Sequence, residues 1–530
     1  MISKVTHLDF EEIPQLSTKD KAYQSLNEAY QGYFKYEPKI EAFSEVIEKK
    51  KKHKVDRSLL VSVLKKQYQG HSSYEVVKDQ IDLLEDENTF TITTAHQPVF
   101  LLGPLYMVYK IISTVRLCKE LKAQYSDYNF VPIFVSGGED HDHEEIATLH
   151  LFNKDFTWNT DQTGSVGRMK NDGVSEVVNN VVELFGSSPF ANELAEIIQK
   201  SLNDSTSYGN FNTNLYKALF SDLGVVVINM DDAQLKEPFL PLAIEEVEKN
   251  ISYHTVRKAQ SELEDRGIKE QAHVREINLF LMDKGSRHRI IKEESGDYTI
   301  GDKALSKEEL IAFLKNNYQN ISPNVVLRPI YQEIILPNLA YVGGGGEIAY
   351  WLERLHQFEA FEVPFPMLIR RNSVLTANKG AVKNMSKLGL SSVDFFQELP
   401  SLIKNYVRDQ SEEDFSLKSE TEQLQELFKT LSIKAKLLDQ SLEKYVLAEG
   451  AKQEKALQNI SNRLMKVGKA QNEVQLKKIE NVKNKLFPSG KLQERYDSFI
   501  PFYLRYGKEW FQTLVDYLNP LDKRFIILEE

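Results

Sequence analysis

Two runs decide the fold of this chain: Thr91-Ile92-Thr93-Thr94-Ala95-His96-Gln97-Pro98, and Phe130-Val131-Pro132-Ile133-Phe134-Val135-Ser136-Gly137-Gly138-Glu139-Asp140-His141-Asp142-His143-Glu144-Glu145. In each, an apolar strand-like segment breaks into a polar loop that opens a helix. The first loop leads through Gly103-Pro104 into a helical pattern carrying Tyr106 and Lys110. The second has no apolar side chain from Glu139 to Glu145, yet follows a segment that reads as a buried parallel strand. Ligands of open α/β sheets bind just beyond the carboxyl ends of strands, so the stretch from Thr91 to Leu149 predicts an active-site edge.

With 530 residues, 41% of them hydrophobic, the chain can bury a sizeable core in roughly two to four structural units. Its net charge of -11 and pI near 5.7 argue against a nucleic-acid or anionic-membrane surface over the whole molecule, while leaving room for a local basic pocket. One cysteine, Cys118, permits no intramolecular disulfide, and a reducing cytoplasm is the expected compartment. Its place among Val115, Leu117 and Leu121 reads as a core thiol rather than a nucleophile. The start of the sequence lacks the apolar stretch of a secretory signal, and no later run is long enough to cross a bilayer.

Residues 1–89 read as a helical region packing on the core, with Ala42 to Ile47 and Leu59 to Leu64 at helical apolar spacing. The charge run Lys49 to Lys52 reads as a solvated helix end. From 90 to 410, strand and helix alternate, which implies right-handed crossovers and a parallel sheet. Val225 to Asn229 is the next strand, and the long gap before it predicts an insertion at about 152–214, with a second at about 252–322. In the second, Arg287 to Ile291 and Tyr298 to Ile300 read as a β-hairpin, and Ser306 with Glu309 as a capping box. The sheet is expected to resume at Val325 to Pro329, at Leu339 to Val342 and at Phe365 to Arg370. Residues 411–486, from Ser411 on, carry Leu424, Leu427, Leu431, Leu438, Leu442 and then Ile460, Leu464, Val467, Val474, the seam of a coiled coil. Gly450 between the two series reads as an antiparallel helical pair whose leftover apolar surface calls for a homodimer, and residues 487–530 as an aromatic tail packing on the core.

The cluster from Glu139 to Glu145 suits metal ligands, acid/base groups, or hydrogen-bonding partners for a polar substrate. Asp142 with Glu145 also fits a helix N-cap with a variant capping box, which leaves Asp140 and His141 for function. Neither His-Glu-x-x-His nor cysteine pairs occur, so no metal centre is expected. Gly343 to Gly346 before a helix is in principle a phosphate cradle, but Glu347 at the helix start would repel an anion or receive an amine or a sugar hydroxyl instead. Arg328 and Gln332 stand in a strand-like segment, where a buried Arg needs an internal carboxylate or an anionic ligand. Lys383-Asn384-Met385-Ser386-Lys387 is a short, compositionally ordinary match to the lysine loop of class I aminoacyl-tRNA synthetases.

Taken together, these segments resemble the BshC family, the cysteine-adding ligases of bacillithiol biosynthesis. The matching residues are Gln97, Leu101, Gly103 to Tyr106 and Lys110, then Gly138 to Asp142 with Glu145-Ile146, Asn324 to Val326, Arg328-Pro329, Gln332-Glu333, Gly346 to Ile348, Tyr350-Trp351, Glu494-Arg495 and Arg505 to Gly507. The resemblance implies an α/β fold: a Rossmann-type doubly wound parallel core with connecting-peptide insertions and an α-helical antiparallel coiled-coil domain used for dimerisation. It also implies that L-cysteine is joined through an amide to the amine of glucosaminyl-malate. The commoner family pattern Gly-Gln-Gln-x-Gly becomes Ala95-His96-Gln97-Pro98-Val99 here, with His96 able to replace a backbone contact by a side-chain donor.

Amide formation in water needs an activated carboxylate, so ATP with Mg²⁺ is the expected cofactor. Asp140, His141 and His96 are the candidate catalytic groups, with Asp140 or His141 deprotonating the amine. Gln97, Glu139, Asp142, Arg328, Gln332, Glu333 and Glu347 would bind substrates, Arg328 a carboxylate. Gly103, Lys110, Gly343, Gly344, Gly345 and Gly346 would hold the nucleotide, with His96, Gln97 and Lys110 stabilising phosphate charge. Mg²⁺ would draw on Asp140 or Asp142. The rival readings are a nucleotidyl- or glycosyl-transferase on the same core, and a non-catalytic nucleotide-binding coiled-coil scaffold.

Overall fold

The computed structural model describes residues 2–283, 285–410 and 417–530. They form two compact units, residues 7–374 with 494–526, and residues 1–6 with 375–493 and 527–530. The larger unit is built on a five-stranded parallel sheet of β1 (Thr89–His96), β2 (Asn129–Ser136), β3 (Val226–Asn229), β4 (Asn338–Gly343) and β5 (Met367–Arg370). The spatial order is β5-β4-β1-β2-β3, and Thr89 to His96 of β1 pair without interruption with Asn129 to Ser136 of β2. Val131, Ile133 and Val135 join Val226, Ile228 and Tyr341 in the core on one face; Phe90, Ile92, Phe130, Val342 and Ile369 join the core on the other. A sheet covered on both faces explains why these segments read as near-continuous apolar runs.

Helix α1 (Tyr106–Gln124) carries the chain from β1 to β2 and buries Leu117, Cys118 and Leu121 against the second face. From β1 the sheet grows outward through β2 to β3, then the chain returns to the far side of β1 for β4 and β5. The crevice between β1 and β4 is thus the topological switch point, where α/β sheets bind ligands. Helix α2 (His143–Ile146) follows β2, α3 (Arg328–Ile335) precedes β4, and α4 (Gly345–Leu352) follows it.

The expected strand from Val325 to Pro329 is not there. A short strand ends at Pro323, and Arg328 opens α3 with Pro329 in its first turn, where the ring presets φ and the missing N–H costs nothing. Arg328 and Gln332 therefore stand one helical turn apart on one face of α3. The first insertion holds a hairpin, Thr148–Leu151 with Lys154–Thr157, and the helices Val174–Val182, Pro189–Asn203 and Tyr208–Phe220. The second holds a five-stranded antiparallel sheet in which Ile290 lies opposite Ile300, as the hairpin reading requires, and Ser306 and Glu309 form the expected capping box.

The N-terminal helices Phe43–Lys50, Arg57–Tyr68 and Tyr74–Leu83 form as expected, although a strand at Lys4–Leu8 was not legible. The lysine run is not wholly solvated: Lys50 is buried, its Nζ 2.9 Å from the Glu333 carbonyl and 3.5 Å from its carboxylate. Aromatic residues of the tail pack within the larger unit, Phe511 lying 4.9 Å from Phe220.

The smaller unit contains α5 (Lys418–Leu438), α6 (Gln440–Gln471) and α7 (Glu473–Leu486). Helices α5 and α6 run antiparallel, turning at Asp439, whose side chain accepts from the Ser441 N–H at 2.7 Å. Gly450 is therefore not the turn. It lies inside α6, where a Cβ would come within 2.9 Å of the Phe428 ring, so the glycine serves close helix approach. The expected beginning of the coiled coil at Ser411 lies outside the described residues. Lys383 to Lys387 form part of a helix, Lys379–Leu388, rather than a loop. No described helix is long and apolar enough to cross a membrane.

Candidate active site

A cavity of about 670 Å³ opens beyond the carboxyl ends of β1, β2 and β4, at the switch point. β1 contributes Ala95, His96 and Gln97, and the loop after β2 contributes Asp140, His141, Asp142 and, on α2, Glu145. From α3 come Arg328 and Gln332, and from the start of α4 Gly344, Gly345, Gly346, Glu347 and Tyr350. Tyr106, Arg371 and Arg495 complete the wall.

Asp140 is held by guanidinium groups. Arg328 donates to it through both terminal nitrogens, at 2.7 and 2.8 Å, Arg287 stands 3.3 Å away, and Gln97 approaches at 3.4 Å. Burial alone would raise its pKa, but Arg328 and then Arg287 outweigh burial and bring it down to about 2. It is an anion at every working pH and has no free oxygen with which to accept a proton. Arg328 in turn has both terminal nitrogens occupied, which answers the sequence question about its partner: an internal carboxylate. His141 is exposed, with Nδ1 3.4 Å from Arg287. Asp142 stands at the N-cap position of α2 but makes no capping hydrogen bond, so the capping-box reading fails and its carboxylate is open to the cavity.

His96 is enclosed between two partners: its Nε2 lies 3.2 Å from the Tyr106 hydroxyl and its Nδ1 3.1 Å from the Gln97 carbonyl. Nδ1 can bond a carbonyl only by donating, so in the neutral ring Nε2 accepts from Tyr106. Burial, reinforced by Lys110, brings the imidazole down to about 4. His96 is thus neutral and its donor is already used, so it adds no positive charge for a phosphate. Lys110 lies behind the wall, its ammonium held by the Ala95 carbonyl and by Glu347 at 2.7 and 2.9 Å. Glu347 also accepts from the Tyr341 hydroxyl at 2.6 Å and the Gly344 N–H at 2.9 Å. Its charge is compensated, and the repulsion of an anion expected from the sequence is largely cancelled.

The glycine run divides in two. Gly343 packs against the Tyr341 ring, and a Cβ on Gly345 would collide with the Asp20 carboxylate, whereas Gly346 faces open space and Gly344 meets only Glu347 and the Arg371 Nε. Arg371 is held at its terminal nitrogens by Glu494 at 3.0 and 2.8 Å, while its buried Nε has no partner among the described residues. Arg495, half-exposed, lies 3.6 Å from Asp20, which already pairs with Arg370 at 2.9 Å. This end of the cavity therefore carries more guanidinium than carboxylate, and the carboxylates of Asp142 and Glu145 at the other end have no cationic partner among the described residues.

Besides Lys110 and Gly343, three more expected residues lie away from the cavity. Glu139 is buried against Lys236 at 2.6 Å, Glu333 against Lys50 and Asn338, and Gly103 takes a left-handed turn (φ +55) over Val99. The loop that presents Asp140 is fixed from behind by backbone contact. A Cβ on Gly167 would lie 2.9 Å from Gly138, Gly167 N–H donates to the Gly138 carbonyl at 2.8 Å, and Val166 N–H to the Asp140 carbonyl at 2.8 Å. Sequence reasoning missed Arg371 and Arg287. Arg371 follows directly on buried β5, the same strand-end signal that pointed to Asp140, whereas nothing in the hairpin strand marks Arg287. Among the described residues no group of three or more His, Cys, Asp or Glu side chains is placed to hold a metal ion.

Two family models match the chain: the Bacillithiol biosynthesis BshC N-terminal Rossmann-like domain over residues 4–372, and the Bacillithiol biosynthesis BshC C-terminal coiled-coil domain over residues 374–530. Relatives named "Putative cysteine ligase BshC" are 40% identical in Flavobacterium johnsoniae, over 93% of both chains, and 39% identical in Flavobacterium psychrophilum, over 94% of both. The relative of that name in Christiangramia forsetii is 36% identical over 96% of this chain and 95% of its own.

Proposed function

Because the chain belongs to the BshC family of bacillithiol biosynthesis and is a ligase, we propose that it joins L-cysteine through an amide to the amine of glucosaminyl-malate. In this reading it closes the synthesis of bacillithiol or a related low-molecular-weight thiol in the cytoplasm, with ATP activating the cysteine carboxyl. The observation that carries the reading is the uneven charge of the cavity at the switch point. Joining an amine to a phosphoryl-activated carboxyl needs an anion-binding end and an end that attracts an ammonium. The Arg371 Nε, Arg495 and the open backbone at Gly346 supply the first, Asp142 and Glu145 the second. Asp140 serves as the anchor that holds Arg328 and Arg287 in the wall. Both oxygens of Asp140 are engaged, so Mg²⁺ arriving with the nucleotide phosphates would draw on Asp142 and would supply charge neutralisation there.

The test is to incubate the full-length protein with cysteine, glucosaminyl-malate and ATP and to follow the amide product by mass spectrometry. Product that requires all three supports the reading. Product without ATP would remove the activation step, and transfer from a nucleotide sugar with free cysteine ignored would favour the transferase.

A further inference from the structure

Resting on the ligase reading above, we infer that Glu145 is the catalytic base that takes a proton from the incoming ammonium. Of the cavity's acid/base groups, Asp140, Glu347 and His96 are engaged and His141 has its Nδ1 3.4 Å from Arg287, which leaves the carboxylates of Asp142 and Glu145. Both oxygens of Asp140 are bonded to Arg328. Glu347 is bonded to Lys110, Tyr341 and the Gly344 N–H. The His96 ring is enclosed between the Tyr106 hydroxyl and the Gln97 carbonyl.

Glu145 lines the same cavity and makes no ion pair or hydrogen bond among the described residues. It sits on α2, directly before the buried Ile146, and Asp142 stands at the N-cap of the same short helix. The groups that face Glu145 are Asp140 and Asp142 from its own loop and Tyr106 from α1. Glu145 is exposed, and its partial burial first, then those two carboxylates, raise its pKa from the ordinary glutamate value.

The step balances as follows. The Glu145 carboxylate takes one proton from R–NH₃⁺, leaving R–NH₂ and the neutral acid. The nitrogen lone pair forms the C–N bond at the activated carbonyl carbon. As the tetrahedral adduct collapses, the C–O bond to the phosphoryl group breaks and its electron pair leaves with that oxygen. The second surplus proton on nitrogen departs to the leaving phosphoryl oxygen or to water.

The experiment compares wild type with Glu145→Gln and Glu145→Asp in the full-length protein, using two amines: glucosaminyl-malate, and hydroxylamine, which is largely unprotonated at neutral pH. Glu145→Gln is expected to lower kcat with the amino sugar by about 100-fold or more, with KM little changed. With hydroxylamine it should stay within a few-fold of wild type, because no proton has to be removed first. Glu145→Asp should recover part of the loss. Equal loss with both amines, or Glu145→Gln activity within a few-fold of wild type, overturns the assignment. A wild type that makes no amide from either amine overturns the ligase reading itself.

Discussion

Asp140 can be tested through pH as well as through activity. Its folded pKa of about 2 lies below the roughly 3.9 of an unfolded aspartate, so its contribution is fully present above the unfolded value and is lost as pH falls toward the folded one. Linkage puts that contribution at about 2.6 kcal/mol at neutral pH. Asp140→Asn is expected to lower stability at pH 7 by about 3 kcal/mol, because Arg328 and Arg287 then face each other without the anion. The gap to wild type should shrink toward pH 2, as read by urea unfolding; a gap that does not change with pH would mean the clamp is not electrostatic. His96 works in a higher window. Its folded value of about 4, against 6.5 for the free side chain, costs the fold stability as pH drops from 6.5 to 4. His96→Gln should flatten the stability-versus-pH curve in that window by up to about one proton, and an unchanged slope would mean the ring is not held neutral. Residue type and position pointed to the cavity for Asp140, His96 and Glu347, since each follows a strand end. Their roles were not legible, because a role depends on partners far away in sequence: Arg328 for Asp140, Tyr106 for His96, Lys110 for Glu347.

The elements that read correctly are those whose pattern is set by burial on both faces: β1, β2, β3 and β4 are apolar runs because helices cover both sides of the sheet. The segment before β4 was misread because Val325-Val326-Leu327 has strand composition, while Pro329 is equally at home in a first helical turn, as α3 uses it. Gly450 was read as a turn because glycine breaks helices in isolation; inside α6 it is tolerated since the Phe428 ring occupies the space of a side chain. The stacking of Gly167 on Gly138 had no sequence signal, as close backbone contact leaves no periodicity. It does have a consequence at the loop that presents Asp140. Gly167→Ala would push a methyl against the Gly138 backbone, which has no flexible side chain to yield. The substitution is expected to lower kcat/KM by about 100-fold, the loss an ångström-scale misplacement produces, with thermal unfolding still cooperative. Near-wild-type kcat/KM would show that the loop tolerates the shift.

For the molecule as a whole, the pairing of α5 with α6 leaves apolar surface uncovered. Leu427 is 53% exposed and Ile460 49%, and Leu431, Leu438, Leu464 and Val467 are also open to solvent. A cavity of about 540 Å³ lies between the helices, lined by Leu424, Leu427, Leu457 and Ile460. Two copies that bury such stripes against each other would gain on the order of 10 kcal/mol, before the loss of translational and rotational freedom. That is enough to favour association at micromolar concentration, and isolated leucines at coiled-coil spacing have no other evident use. The full-length protein is therefore expected to sediment as a homodimer. The double substitution Leu427→Glu with Ile460→Glu should convert it to a monomer while leaving its helical circular dichroism unchanged, because both side chains already face solvent within one copy. A monomeric wild type would refute association through this face, and a dimer that survives the double substitution would place the contact on the larger unit instead.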